Sequence, residues 1–323
     1  MIAVEYIVPA VLVGCFALLM IFRRSTVWAL IYVASISQIL ILSFRVQDYN
    51  SDTYNYSRYI DLLSESDGLE ILFASKFEPL HLVMAFIASD FESWLLIEGV
   101  VCAILVAFLI RRLKRLETVA VVLGAALPLF SSSMRFAVGL FAVACTITLL
   151  HKIRARFITV SMVGLASHVS LLMTGLLLRR SVWPVVLLVV GFVAYSSTDI
   201  SIVERAGGGD DNTAGGTGLR PLVALFIMLL IYKFRRDGYS SASFGMDAVI
   251  ALVIFSTAVL FYPVFNRFIV ILLVARAIQL DGLPDRKRVR GSGAEVGGAL
   301  MIYGVLVVPH LLSLSRHLIA GDW

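Results

Sequence analysis

An all-α polytopic integral membrane protein, with about 10–12 transmembrane or re-entrant helices in a single domain, is the fold this sequence predicts. Three observations predict it. Hydrophobic residues make up 59% of the 323, and mean hydropathy is +0.92, beyond the apolar share of a soluble domain. The apolar residues fall in long runs rather than at amphipathic spacing, as a bilayer core about 30 Å thick requires. Clusters of Lys and Arg recur between those runs and mark cytoplasmic loops.

In chain order the apolar runs place helices at residues 2–22, 26–44, 93–110, 118–130, 134–150, 182–197, 219–234, 246–261, 265–280 and 297–315. The first has no basic residue before it and Arg23 and Arg24 after it, so it reads as a retained helix rather than a cleaved leader. The other basic clusters are Arg111 to Arg115, Lys152 to Arg156, Arg179 and Arg180, Lys233 to Arg236, and Arg286 to Arg290. All can share one membrane face only if the stretch 157–178 enters and returns, so a pair of short helices meeting near Ser167 and His168 is expected. With those clusters in the cytoplasm, the N-terminus, the segment 45–92, His168 and the loop 198–219 lie outside. That placement also absorbs the net charge of +5, which then implies no nucleic acid partner and leaves anionic membrane lipid as the surface partner.

The outside segment 48–81 is a polar island. It opens DYNSDTYNYSRY and closes KFEPLH, where Pro79 suits the first turn of a short amphipathic helix beginning at Glu78. Asp48, Asp52, Tyr54, Tyr56, Arg58, Tyr59, Glu78 and His81 all lie in it, a set able to bind something hydrophilic. The loop GGGDDNTAGGTG is low-complexity and suits a mobile cover. No cofactor or metal motif accompanies these groups: Cys15, Cys102 and Cys145 sit in apolar runs without ligand spacing, and Asp210 and Asp211 lack a calcium-loop pattern.

Arg135, Arg220 and Arg267 each head or end a helix on the outside, where the positive-inside preference disfavours them. A planar, permanently charged guanidinium suits phosphate oxygens, so three of them fit a pyrophosphate site. Snorkelling, or pairing with an acid such as Asp48 or Glu78, is the structural alternative. The tyrosines fit either an interfacial belt or a platform for sugar faces.

The succession DYNSDTYNYSRY, FEPLHLV, SSSMRFAVGL, LASHVSLL and NRFIVILL, over about residues 45–280, resembles the EpsG-type branch of Wzy-like polysaccharide polymerases. Phe136 departs from the polar residue that many relatives carry after the arginine. The resemblance implies a GT-C-like membrane glycosyltransferase in the bacterial cytoplasmic membrane. Its substrate would be an undecaprenyl-pyrophosphate-linked glycan, with a chain-length regulator and a flippase as companions. It implies Glu78, Asp48 or His168 as catalytic base, Arg135, Arg220 and Arg267 as the anion clamp, and the tyrosines with Asp52, Arg58 and His81 as sugar contacts. Glu78 leads among the bases because a helix start fixes its position. A ligase of the finished glycan, a transporter or flippase for a lipid-linked or anionic solute, and a non-catalytic envelope scaffold are the competing readings.

Overall fold

The computed structural model describes residues 25–44, 51–64, 78–88, 90–150, 156–178, 219–235, 238–260, 266–283 and 292–320, together with positions 8, 11–15, 18, 186 and 190. Among these residues the chain is all-helical, with 92% in helix and no strand. The helices are α1 (Ser25–Leu42), α2 (Ser51–Ser64), α3 (Pro79–Ile87), α4 (Phe91–Arg112), α5 (Leu116–Ser132), α6 (Met134–Leu149), α7 (Arg156–Ser167), a 3-10 turn (Val169–Met173), α8 (Thr174–Leu177), α9 (Leu219–Arg235), α10 (Ser241–Leu260), α11 (Asn266–Asp281) and α12 (Ser292–Ala320). Expected helices at 2–22 and 182–197 fall mostly outside the described residues, and the loop 198–219 ends at the first residue of α9.

Two helices, Phe91–Arg112 and Ser241–Val259, are long and apolar enough to cross a membrane. Only 33% of the apolar window in the second is buried inside the protein, and Val249, Leu252 and Val259 face outward. A water-soluble protein would bury such a stripe, whereas hydrocarbon accepts it.

Local sequence sets the helix ends that matter. Asp90 caps α4, its carboxylate accepting the Ser93 N–H at 2.7 Å, while Arg111 and Arg112 sit at the negative end of its dipole. Glu78 is the extended residue before α3, and Pro79 occupies its first turn. Pro128 interrupts the bonding of α5, and the hydroxyls of Ser131 and Ser132 donate to its carbonyl just before the chain turns at Ser133 into α6. The corner leaves Arg135 and Phe136 in the first turn of α6. Gly238, at φ 85°, makes the turn from α9 to α10, a left-handed conformation that favours glycine.

The centre of the bundle is α5, buried along nearly its whole length and packed against α12, where Gly124 admits Leu306. The stretch 157–178 folds back on itself at His168. A Cβ at Gly164 would collide with the Leu171 carbonyl, and one at Gly175 with the Phe157 carbonyl, so both glycines permit the two arms to touch backbone to backbone.

One helix was not expected. Residues 51–64, read from sequence only as part of a polar loop, form α2, which buries Thr53, Tyr56, Ser57 and Ile60. That spacing is one helical face, too narrow and too polar to register as an apolar run.

Candidate functional site

At one end of the bundle, beyond the Ser132 end of α5, four helix starts or turns converge. Glu78 accepts a hydrogen bond from the Arg135 guanidinium at 2.8 Å, a pair 15% and 17% exposed. The same guanidinium lies over the Tyr56 ring at 4.8 Å, and Tyr56 meets Trp94 edge-on at 5.3 Å. One residue further along α6, Phe136 is fully buried and touches two polar groups: His168 edge-on at 5.4 Å, and Arg267, whose guanidinium sits 5.7 Å over its ring. Cation–ring contacts of this kind contribute about 0.5–2 kcal/mol and fix the plane of the guanidinium. Phe136 thus serves here as the spacer between Arg267 and His168.

His168 begins the 3-10 turn. Its Nδ1 accepts the Ser170 N–H at 3.3 Å and lies 2.7 Å from the Ser170 hydroxyl. Because a backbone N–H can only donate, Nδ1 is the acceptor and Nε2 carries the hydrogen of the neutral ring. In that turn, outside any spanning segment, burial lowers the imidazole pKa to about 3, helped by the charges of Arg267, Arg135 and His81. At neutral pH His168 is therefore a neutral hydrogen-bond donor through Nε2 and a poor proton acceptor.

A second polar group lies just beneath. His81 and Glu98 are both fully buried, with Nδ1 2.5 Å from the Glu98 carboxyl and Nε2 2.7 Å from the Ser167 carbonyl. His81 is thereby engaged on both nitrogens. Glu98, a lone carboxyl inside the apolar run of α4, was not singled out from sequence; an ionisable group at that depth is itself a signal that a partner waits on another helix.

The remaining expected residues are distributed differently. Arg220 stands in the first turn of α9, partly exposed, with no hydrogen bond or ion pair to the Arg135–Arg267 group among the described residues. Tyr54 and Arg58 are exposed on α2. Asp48 lies outside the described residues, and so do the side chains of Asp52 and Tyr59. Two of the three arginines are thus brought together, with Glu78, His168 and Tyr56.

No protein-family model, no curated protein and no solved structure matches this chain. The site's own chemistry is what remains. Among the described residues it gathers two oriented guanidiniums, a neutral imidazole and one carboxylate, a set able to receive an anion.

Proposed function

We propose that this chain is a membrane glycosyltransferase of the Wzy-like polymerase type, GT-C-like in architecture, that joins lipid-pyrophosphate-linked glycan units at the outer face of a bacterial cytoplasmic membrane. The observation that carries the proposal is that Arg135, paired with Glu78, and Arg267, over the Phe136 ring that also meets His168, gather at one end of the bundle. The resemblance of five ordered sequence segments to EpsG-type polymerases, and the positive-inside assignment of the basic loops, support it from the sequence.

In this reading the growing chain's pyrophosphate binds the two guanidiniums, which neutralise charge as it develops on the leaving group. An acceptor hydroxyl oxygen bonds to the anomeric carbon while the bond from that carbon to the pyrophosphate oxygen breaks. The electron pair departs with the pyrophosphate, and the hydroxyl proton passes to the Glu78 carboxylate. Glu78 begins the cycle bound to Arg135. Pyrophosphate arriving at Arg135 competes for that guanidinium and releases the carboxylate to act, so the base is exposed only when donor is present. His168, neutral and hydrogen-donating, belongs with the phosphate contacts rather than with the bases.

The test is incubation of purified protein with a lipid-linked repeat unit, followed by a gel that resolves chain length. A ladder is expected. A single shifted band would make the protein a ligase, and unchanged substrate would remove the transferase reading in favour of a transporter or scaffold.

A further inference from the structure

The carbonyl at the last residue of a helix has no intrahelical partner. At the end of α7 that carbonyl belongs to Ser167, and its partner is a side chain far away in sequence, His81 of α3. Ser167 immediately precedes His168, and His81 lies three residues after Glu78, one turn along the same short helix. His81 is held in turn by Glu98 of α4. A single chain of contacts, Glu98 to His81 to Ser167, therefore ties the helix that presents Glu78 to the turn that presents His168.

We infer that His81 and Glu98 are positioning residues, which set the offset between Glu78 and His168 through one shared proton. The inference rests on the proposed function for its catalytic consequence alone. A carbonyl oxygen only accepts, so His81 Nε2 carries a hydrogen. The 2.5 Å contact between Nδ1 and the Glu98 carboxyl then holds one more proton. Whether that proton sits on nitrogen or oxygen, the couple is neutral overall, which suits a site fully excluded from water. The other carboxyl oxygen of Glu98 is buried and has no hydrogen-bond partner among the described residues, so His81 is what Glu98 serves.

The geometry predicts how substitutions rank. Glu98→Gln keeps a donor opposite Nδ1 and leaves Nε2–H on Ser167, so the tie survives. Glu98→Leu leaves Nδ1 buried without a partner and lets the ring change tautomer. His81→Phe fills the space and removes both bonds.

Hydrogen exchange read by mass spectrometry on the full-length protein in detergent tests this directly. Exchange over residues 78–84 and 164–173 is expected to rise about tenfold in His81→Phe and Glu98→Leu, the scale of one lost buried hydrogen bond. Glu98→Gln should stay within about twofold of wild type, and peptides from α5 and α12 should not change. Unchanged exchange over 164–173 in His81→Phe overturns the inference, as does Glu98→Gln behaving like Glu98→Leu, or a rise spread evenly across the bundle. Should His81→Phe fail to insert, His81→Gln, which retains one of the two bonds, takes its place, with a smaller rise in the same two segments expected. In the chain-length assay the double variant His81→Phe/Glu98→Leu should lose no more turnover than His81→Phe, because the two residues act as a unit. If wild type makes no polymer, the proposed function fails while the exchange result still decides the positioning role.

Discussion

The two ends of α5 hold arginine under different charge balances. At the Leu116 end, Arg235 meets the fully buried Glu117 at 2.5 Å and Glu295 at 3.4 Å, and Glu295 also meets Arg115 at 3.5 Å. Two guanidiniums face two carboxylates there. Asp281, just past the span, accepts from the backbone N–H groups of Lys114 and Arg115, and burial pushes its carboxyl pKa up against the pull of those contacts. At the Ser132 end, about 25 Å away along the helix, Arg135 pairs with Glu78, while Arg267 lies over the Phe136 ring. Among the described residues Arg267 has no carboxylate within ion-pair distance. The first arrangement is closed and joins α5, α9 and α12. The second holds, among the described residues, one more guanidinium than carboxylate. Similar residue types are therefore fully matched at one end and incompletely matched at the other, the end to which the proposed function assigns recognition, and the balance of charge is what separates them.

Breaking the closed end should have the largest effect on stability. Arg235→Met strands the buried Glu117 carboxylate and is expected to cost about 3–5 kcal/mol, seen as a lower Tm in detergent. Arg235→Met combined with Glu117→Leu should recover most of that loss. A wild-type Tm for the single variant would show that the network contributes nothing to cohesion.

Glu78→Gln probes the open end with little structural disturbance, because its pair with Arg135 is partly exposed and contributes at most about 1 kcal/mol. Turnover in the chain-length assay should fall about 10²–10⁴-fold while lipid-linked donor still binds. Near wild-type polymerisation would reduce Glu78 to a helix start and move the base to Asp48.

Arg135→Lys and Arg267→Lys sharpen the contrast further. Charge is kept but the two-pronged donor is lost, so polymer synthesis should drop about tenfold or more at unchanged Tm. Full-length polymer from both variants would refute the clamp. Lysine in place of Arg235 should show the opposite pattern, with stability reduced and synthesis following only as far as folded protein is lost.

A further effect, confined to acid conditions, concerns pH. An unfolded His168 takes a proton near pH 6.5, while the folded imidazole stays neutral down to about pH 3. Between those values the unfolded chain binds more protons, so stability falls as pH falls through that window. His168→Gln should flatten that part of the Tm–pH curve without altering it above neutrality. A curve of unchanged slope would mean that His168 is not held neutral.

Much of the helix layout was legible in the sequence, because helices that bury no polar backbone in an apolar medium must be long, continuous and hydrophobic. The predicted runs at 118–130, 134–150, 219–234 and 265–280 each lie within a residue or two of α5, α6, α9 and α11. The glutamate–proline start of α3 and the break at His168 were legible for local reasons, a fixed proline φ and the alternation of charge between loops. The polar helix α2 was not, since its buried face amounts to four residues in a run of low hydrophobicity. Pairing of an outer arginine with Asp48 or Glu78 was open from the sequence, but which arginine would meet Glu78, 57 residues from Arg135, was not legible, nor was the pairing of His81 with Glu98 on another helix.

The sequence alone determined that this chain is helical, where most of its helices run, and which residue types it reserves for the ends of those helices. Only the tertiary structure decided which of those residues meet. It set Arg135 against Glu78 and Tyr56 and Arg267 over Phe136, and it engaged His81 on both ring nitrogens while His168 accepts from Ser170 through Nδ1. The physical reason is one of range. Hydropathy and capping act over a few neighbouring residues, whereas an ion pair or shared proton depends on how separate helices pack, and that is fixed by the fit of side chains at every contact between them.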